Sequence, residues 1–208
     1  MRRGLHEVRH WPSLPARQWL ERFLAAAPRA QRVQAIVLTG SAARPVEAVA
    51  DLDLVVIYKG SGPDLGRPPM DVDVRSYRSD QVEALLDRNH DLLGWTLRFG
   101  VPLFERHRYW TRLRRRWLDR LPMPSADAAE ERARRAEVYM RDLLEIGDGE
   151  AAREQELTLL THQARARLIR NGVLPLSRPE LAAQLDEIGD DELAGRLRRA
   201  LEERPMAA

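Results

Sequence analysis

The sequence contains no cysteine, which excludes disulfides, thiolate zinc sites and a cysteine nucleophile. Its five histidines (His6, His10, His90, His107 and His162) have no compact ligand spacing, so a zinc centre is not expected. No apolar run approaches the roughly 20 residues that a membrane-spanning helix needs. The opening Met1-Arg2-Arg3-Gly4 runs on into His6, Glu7 and Arg9, not into an apolar leader. A soluble, cytoplasmic protein with no membrane partner is expected. Lysine is nearly missing as well: Lys59 stands alone, and arginine carries the rest of the positive charge.

What is present suffices for a core. A hydrophobic share of 44% is ordinary for a folded protein, and the length allows one large domain or two small ones. The net charge of +2 hides an asymmetry, since residues 1–126 carry 21 basic against 14 acidic side chains and residues 127–208 carry 13 against 18. The basic half suits a polyanion such as a nucleoside triphosphate; the acidic half suits a cationic acceptor, or simply the first half. The run Arg112 to Arg116 has little aromatic interleaving beyond Trp110 and Trp117. It reads as a basic helix face, and nucleic acid is not an expected partner.

Residues 1–14 read as an irregular lead-in. Trp19, Leu20, Phe23 and Leu24 then recur at helical spacing from Ala16 to about Ala27, and Pro28 ends the segment. Apolar runs predict strands at 33–39, 52–58 and 70–76, with a short helix or turn at 41–49 and a Gly/Pro-rich, hairpin-like loop from Gly60 to Pro69. Ser79 is the expected cap of a helix that buries Val82, Leu85 and Leu86. A further helix, His90 to Phe99, stops at Gly100, and Val101 to Glu105 is a short strand whose Pro102 favours an edge. Tyr109 to Leu121 completes this part as a basic helix.

Beyond Pro122-Met123-Pro124 the composition changes. A helix over 128–146, with Val138, Leu143 and Leu144 apolar, is followed by one over 150–170, one capped by Ser177 and running to 188, and one opened by Asp190. Four helices with short connections make a bundle, and the expected domains are 1–124 and 125–208.

The chemistry concentrates between Val33 and Tyr77. The first apolar run ends in Thr39-Gly40-Ser41, nine residues follow, and Asp51-Leu52-Asp53-Leu54 then opens the second. Alternation along a strand puts Asp51 and Asp53 on one face and Leu52 and Leu54 on the other. Paired carboxylates repel unless a cation offsets the charge, and Mg²⁺ prefers carboxylates together with substrate phosphates. Gly40-Ser41 supplies a turn whose N–H groups form an anion-binding concavity. The third run, Met70-Asp71-Val72-Asp73-Val74, again places its two acids on one face.

Gly40-Ser41, then Asp51-x-Asp53, then an acid on a later strand resembles the signature of the DNA polymerase beta-like nucleotidyltransferase superfamily, whose small members include the kanamycin nucleotidyltransferase-like enzymes. Arg44 sits where many small members carry an arginine. The resemblance spans residues 30–105 well and the remainder only in layout. It implies an α/β (α+β) fold: a small mixed nucleotidyltransferase sheet flanked by helices, followed by a C-terminal helical bundle that binds the acceptor or mediates dimerisation. It also implies transfer of a nucleoside monophosphate from an NTP to a hydroxyl of an aminoglycoside- or lincosamide-like molecule, or of a protein. Asp51, Asp53 and Asp73 would be the catalytic, metal-binding acids, with two Mg²⁺ ions and with Asp71 as the alternative third carboxylate; Gly40, Ser41 and Arg44 would bind the nucleotide.

The helical half is similar to helical domains related to the HEPN fold. HEPN ribonucleases carry Arg, four to six residues, then His, whereas Arg153 lies nine positions before His162, so that activity is disfavoured. His162, with Gln155, Thr158 and Arg165, reads either as part of an acceptor pocket or as an ordinary helix face. A homodimer is possible by the same resemblance. The competing reading is an antitoxin-like or regulatory nucleotide-binding module that acts through a protein partner.

Overall fold

The structure, a computed structural model, describes residues 5–45, 49–64 and 66–203. Residues 46–48 of the expected 41–49 turn and Leu65 of the following connection lie outside the described residues. The chain divides into two compact units, residues 1–122 and 123–208.

In the first unit, α1 (Leu14–Ala26) begins at Ser13, whose hydroxyl accepts from the Ala16 N–H at 3.1 Å. The reading of residues 1–14 as a lead-in is corrected here: Leu14 and Pro15 open the helix, because a proline in the first turn gives up no intrahelical hydrogen bond. The strands β1 (Val33–Thr39), β2 (Leu52–Tyr58), β3 (Val72–Arg78) and β4 (Val101–Glu105) form, among the described residues, one sheet in the order β3-β2-β1-β4. The β1–β2 and β1–β4 pairs are antiparallel and β2–β3 is parallel, so the sheet is mixed and the protein is α/β; the expected hairpin-like link between β2 and β3 is corrected to a crossover, since a hairpin joins only antiparallel strands. Pro102 sits on an edge strand, as expected.

Alternation sends the two sides of the sheet to two cores. Ile36, Leu38, Leu52, Leu54 and Val56 pack with Trp19 and Leu20 of α1. Ala35, Val37, Val55 and Ile57 pack with α2 (Val82–Asp87), α3 (Asp91–Phe99) and α4 (Tyr109–Trp117). Ser79 does not cap α2: its N–H extends the ladder to the Tyr58 carbonyl at 2.7 Å, and the helix starts after Gln81. Glu105, at the end of β4, serves as a remote cap for α4, accepting from the Thr111 N–H and hydroxyl at 2.9 and 2.7 Å.

Several arginines are structural. Arg106 donates to the carbonyls of Val33 (3.1 Å), Ala27 (3.2 Å), Pro28 (3.0 Å) and Ala30 (3.4 Å), closing the turn between α1 and β1. Hydrogen bonds from a charged donor to otherwise unmet carbonyls make its loss costly. Arg106→Ala is expected to lose about 2 kcal/mol in urea unfolding. Arg106→Lys should recover only part of that, because an ammonium cannot span the same carbonyls as a planar fork.

The second unit is helical: α5 (Ala126–Glu145), α6 (Gly149–Arg170), α7 (Leu181–Glu187) and α8 (Asp191–Glu202). Ser125, Asp148 and Asp190 cap α5, α6 and α8. Ser177 caps a 3₁₀ turn, Arg178–Glu180, with a reciprocal box to Glu180, and α7 follows it. Leu157, Leu160 and Leu168 of α6 meet Leu181, Leu185 and Leu197 in the core. The buried face of α5 is not the one its large apolar residues suggest. Ala129, Ala133 and Ala136 are buried, two of them against Leu159, while Val138 and Leu144 are 49% and 58% exposed. Small residues let two helices approach closely, and a hydropathy pattern weighted by size misses that.

Candidate functional site

The end of β1 is fixed from beneath. Thr39 and Thr96 are both buried, their hydroxyl oxygens 2.9 Å apart. Thr96 gives its own proton to the Leu92 carbonyl at 2.6 Å, so Thr39 is the donor to Thr96. Gly100, just past α3, locks the same region. Its φ of −68° is ordinary, so its value lies in having no side chain, since a Cβ there would lie 2.5 Å from the Thr96 carbonyl oxygen and 2.8 Å from Val37.

The chain leaves Thr39 through Gly40 at φ 64°, ψ −156°, a conformation essentially confined to glycine. A 3₁₀ turn, Ser41–Ala43, follows, with the Arg44 N–H bonded to the Ser41 carbonyl at 2.9 Å. Gly40 lies directly against the Asp53 carboxylate: a Cβ on Gly40 would fall 2.9 Å from Asp53 Cγ and closer still to Oδ2. Asp53 is the register partner of Thr39 on one side and of Asp73 on the other. The turn and two carboxylates therefore meet at one end of three adjacent strands.

The other candidates fall around that centre. Asp51 is exposed, one residue ahead of β2. Asp71 is likewise one residue ahead of β3, and its carbonyl accepts from the Leu52 N–H at 2.8 Å. Val72 and Val74 face the α1 core, which leaves Asp73, Arg75 and Tyr77 on the opposite face of β3. Arg75 donates to Asp73 Oδ2 through Nε at 3.0 Å and Nη2 at 2.9 Å. Burial pushes the Tyr77 hydroxyl above its ordinary pKa; Arg75 lowers it and Asp73 raises it further. Arg44 lies over the Phe99 ring, its guanidinium carbon 4.9 Å from the centroid.

Whether these residues suit a metal is decided by the donor set. Among the described residues no three or more His, Asp or Glu side chains are grouped to hold a metal ion. What is present is two carboxylates on paired strands. That set fits Mg²⁺, which is commonly held by one or two carboxylates and completed by substrate phosphates and water, and does not fit a ready-made three-acid cage.

Three features of the site were not singled out from the sequence. Arg75 had a signal, since i and i+2 share a strand face. The Thr39–Thr96 bond and the Arg44–Phe99 stack join residues more than 50 positions apart, and no local pattern reveals them. In the helical unit, Thr158 turns its hydroxyl back to the Glu154 carbonyl at 2.9 Å. A cavity of about 300 Å³ is lined there by Glu150, Arg153, Glu154, Glu156, Leu157, Ala200 and Glu203, and not by His162, Gln155, Thr158 or Arg165. No described helix is long and apolar enough to cross a membrane.

Among solved structures, a nucleotidyltransferase-like protein from Exiguobacterium sibiricum aligns with 90% of this chain and 71% of its own, at 17% identity and a TM-score of 0.35. That likeness is too distant to bear on chemistry. No protein-family model matches the chain, and no curated protein matches it.

Proposed function

We propose that the protein is a Mg²⁺-dependent nucleotidyltransferase that moves a nucleoside monophosphate from an NTP to a hydroxyl group. The acceptor is a small molecule of the aminoglycoside or lincosamide type, or a protein side chain. The observation that carries this reading is the contact of Gly40 with Asp53 while Asp53 is paired in register with Asp73.

In such a transfer the acceptor oxygen bonds to the α-phosphorus, the bond to pyrophosphate breaks, and the acceptor loses its proton. The Gly40–Ser41 turn offers N–H donors to the β- and γ-phosphates, and Arg44 adds a charged fork. Asp53 and Asp73 would hold Mg²⁺, with Asp51 beside them, and Asp73 would receive the acceptor's proton. Magnesium, for which the resemblance implies two ions, would neutralise charge on the phosphates and make the hydroxyl more acidic. Arg44, stacked on Phe99, and Arg75, paired with Asp73, are the arginines nearest in the chain to the turn and to the acids. A cationic acceptor would suit the acidic balance of residues 127–208, as would the basic first half of the chain.

Calorimetric titration of the purified protein with nonhydrolysable analogues of all four NTPs, with and without Mg²⁺, tests the reading. At least one is expected to bind in the micromolar to millimolar range, and only with Mg²⁺ present. If none of the four binds, the proposal fails and the search turns to a protein partner.

A further inference from the structure

We propose that Phe99 is a positioning residue of this site: its ring holds the Arg44 guanidinium beside the Gly40–Ser41 turn, ready for the phosphate oxygens of a triphosphate. The proposal rests on the nucleotidyl-transfer reading and adds to it the residue that steadies the anion-binding arginine.

The geometry is continuous from the sheet to the guanidinium. Phe99 is the last residue of α3 and is half-buried, and the guanidinium carbon of Arg44 lies 4.9 Å from its ring centroid. One turn earlier on the same helix, Trp95 packs on Phe99 with centroids 4.9 Å apart and planes at 50°, which restricts rotation of the ring. The helix end that carries Phe99 is itself fixed. The Gly100 N–H donates to the Thr96 carbonyl at 2.7 Å, Gly100 has no room for a side chain against Val37, and Thr96 is bonded to Thr39. Thr39 is the residue before Gly40. The turn and the ring that steadies Arg44 are thus tied to the same end of β1.

A cation laid over an aromatic face is attracted through its charge, while the guanidinium's N–H donors lie in its own plane and can still bind oxygens. Stacking therefore orders a long side chain without using up its donors, and less rotamer freedom remains to be lost when an anion arrives.

The test is calorimetric titration of the full chain with inorganic triphosphate and with the preferred nonhydrolysable NTP analogue, both in Mg²⁺. Variants are Phe99→Leu, Phe99→Tyr, Arg44→Ala and the Phe99→Leu/Arg44→Ala pair, each checked by thermal unfolding. Phe99→Leu is expected to weaken binding about 3- to 10-fold, the weight of one partly buried cation–π contact. Phe99→Tyr, which keeps the ring, should bind as the parent does. In the Arg44→Ala background, loss of the ring should change nothing further, because a residue that acts only through Arg44 has nothing left to position. Phe99→Met carries the same expectation as Phe99→Leu and replaces it if the leucine variant does not fold. Unchanged affinity in Phe99→Leu, or an equal loss with and without Arg44, overturns this proposal alone; absence of triphosphate binding by the parent protein overturns the nucleotidyl-transfer reading as well.

Discussion

Asp53→Asn is expected to lower nucleotidyl transfer on the order of 10³-fold while leaving the unfolding temperature close to that of the parent. Asparagine has nearly the same shape, so it fits in the space against Gly40 that the aspartate fills, and β2 keeps its neighbours. What disappears is one negative charge at the point where the turn and the Asp73 carboxylate converge. Asp51→Asn should cost less, because Asp51 is exposed and lies ahead of the strand, outside the register that pairs Asp53 with Asp73. The measurement is pyrophosphate release from the preferred triphosphate across a panel of hydroxyl acceptors, for both variants and the double variant. Transfer at the parent rate by Asp53→Asn would refute the assignment of Asp53.

Gly40→Ala is expected to reach the same loss of transfer by a structural route. Two penalties act together. The conformation at φ 64°, ψ −156° costs a residue with a Cβ about 1–3 kcal/mol. The new methyl also overlaps the Asp53 carboxylate, so either that side chain or the end of β1 must move, and β1 is held by the buried Thr39–Thr96 bond. A total of about 3 kcal/mol corresponds to roughly 6–12 °C in thermal unfolding for a protein of this size. The two contributions can be separated. Gly40→Ala/Asp53→Ala removes most of the overlap but none of the backbone strain, so it should regain part of the lost stability and none of the transfer. If the double variant is no more stable than Gly40→Ala, the contact of Gly40 with Asp53 is not what makes the glycine necessary.

The first two strands were legible because each is an aliphatic run bounded by residues that end it, Gly40 after β1 and Asp51 before β2. The third was legible only in part. The strand expected over 70–76 starts at Val72 and runs two residues further, through Tyr77 and Arg78, because the parallel ladder to β2 holds as far as the Tyr58–Arg78 pair. The same long-range pairing took Ser79 from its expected role as a cap. In α5, volume misled: the alanines made the close contact and the larger residues stayed outside. That Asp53 and Asp73 share a face with the second core follows from alternation alone. That they are partners in register, or that Gly40 rests on Asp53, depends on how two strands slide past each other, and a single chain of letters carries no such information.

Arg75 reaches back along its own strand to Asp73, so the acid pair carries its counter-ion within the fold. Unpaired carboxylates facing each other on adjacent strands repel at a cost of up to about 1 kcal/mol. Here the compensating charge is encoded two residues away and is present as soon as β3 forms. Both side chains of the ion pair are about half-exposed, so its direct contribution to stability is small. Its effect is local: the Asp73 charge has a partner without any ligand, and a cation bound at Asp73 would have to displace the Arg75 guanidinium.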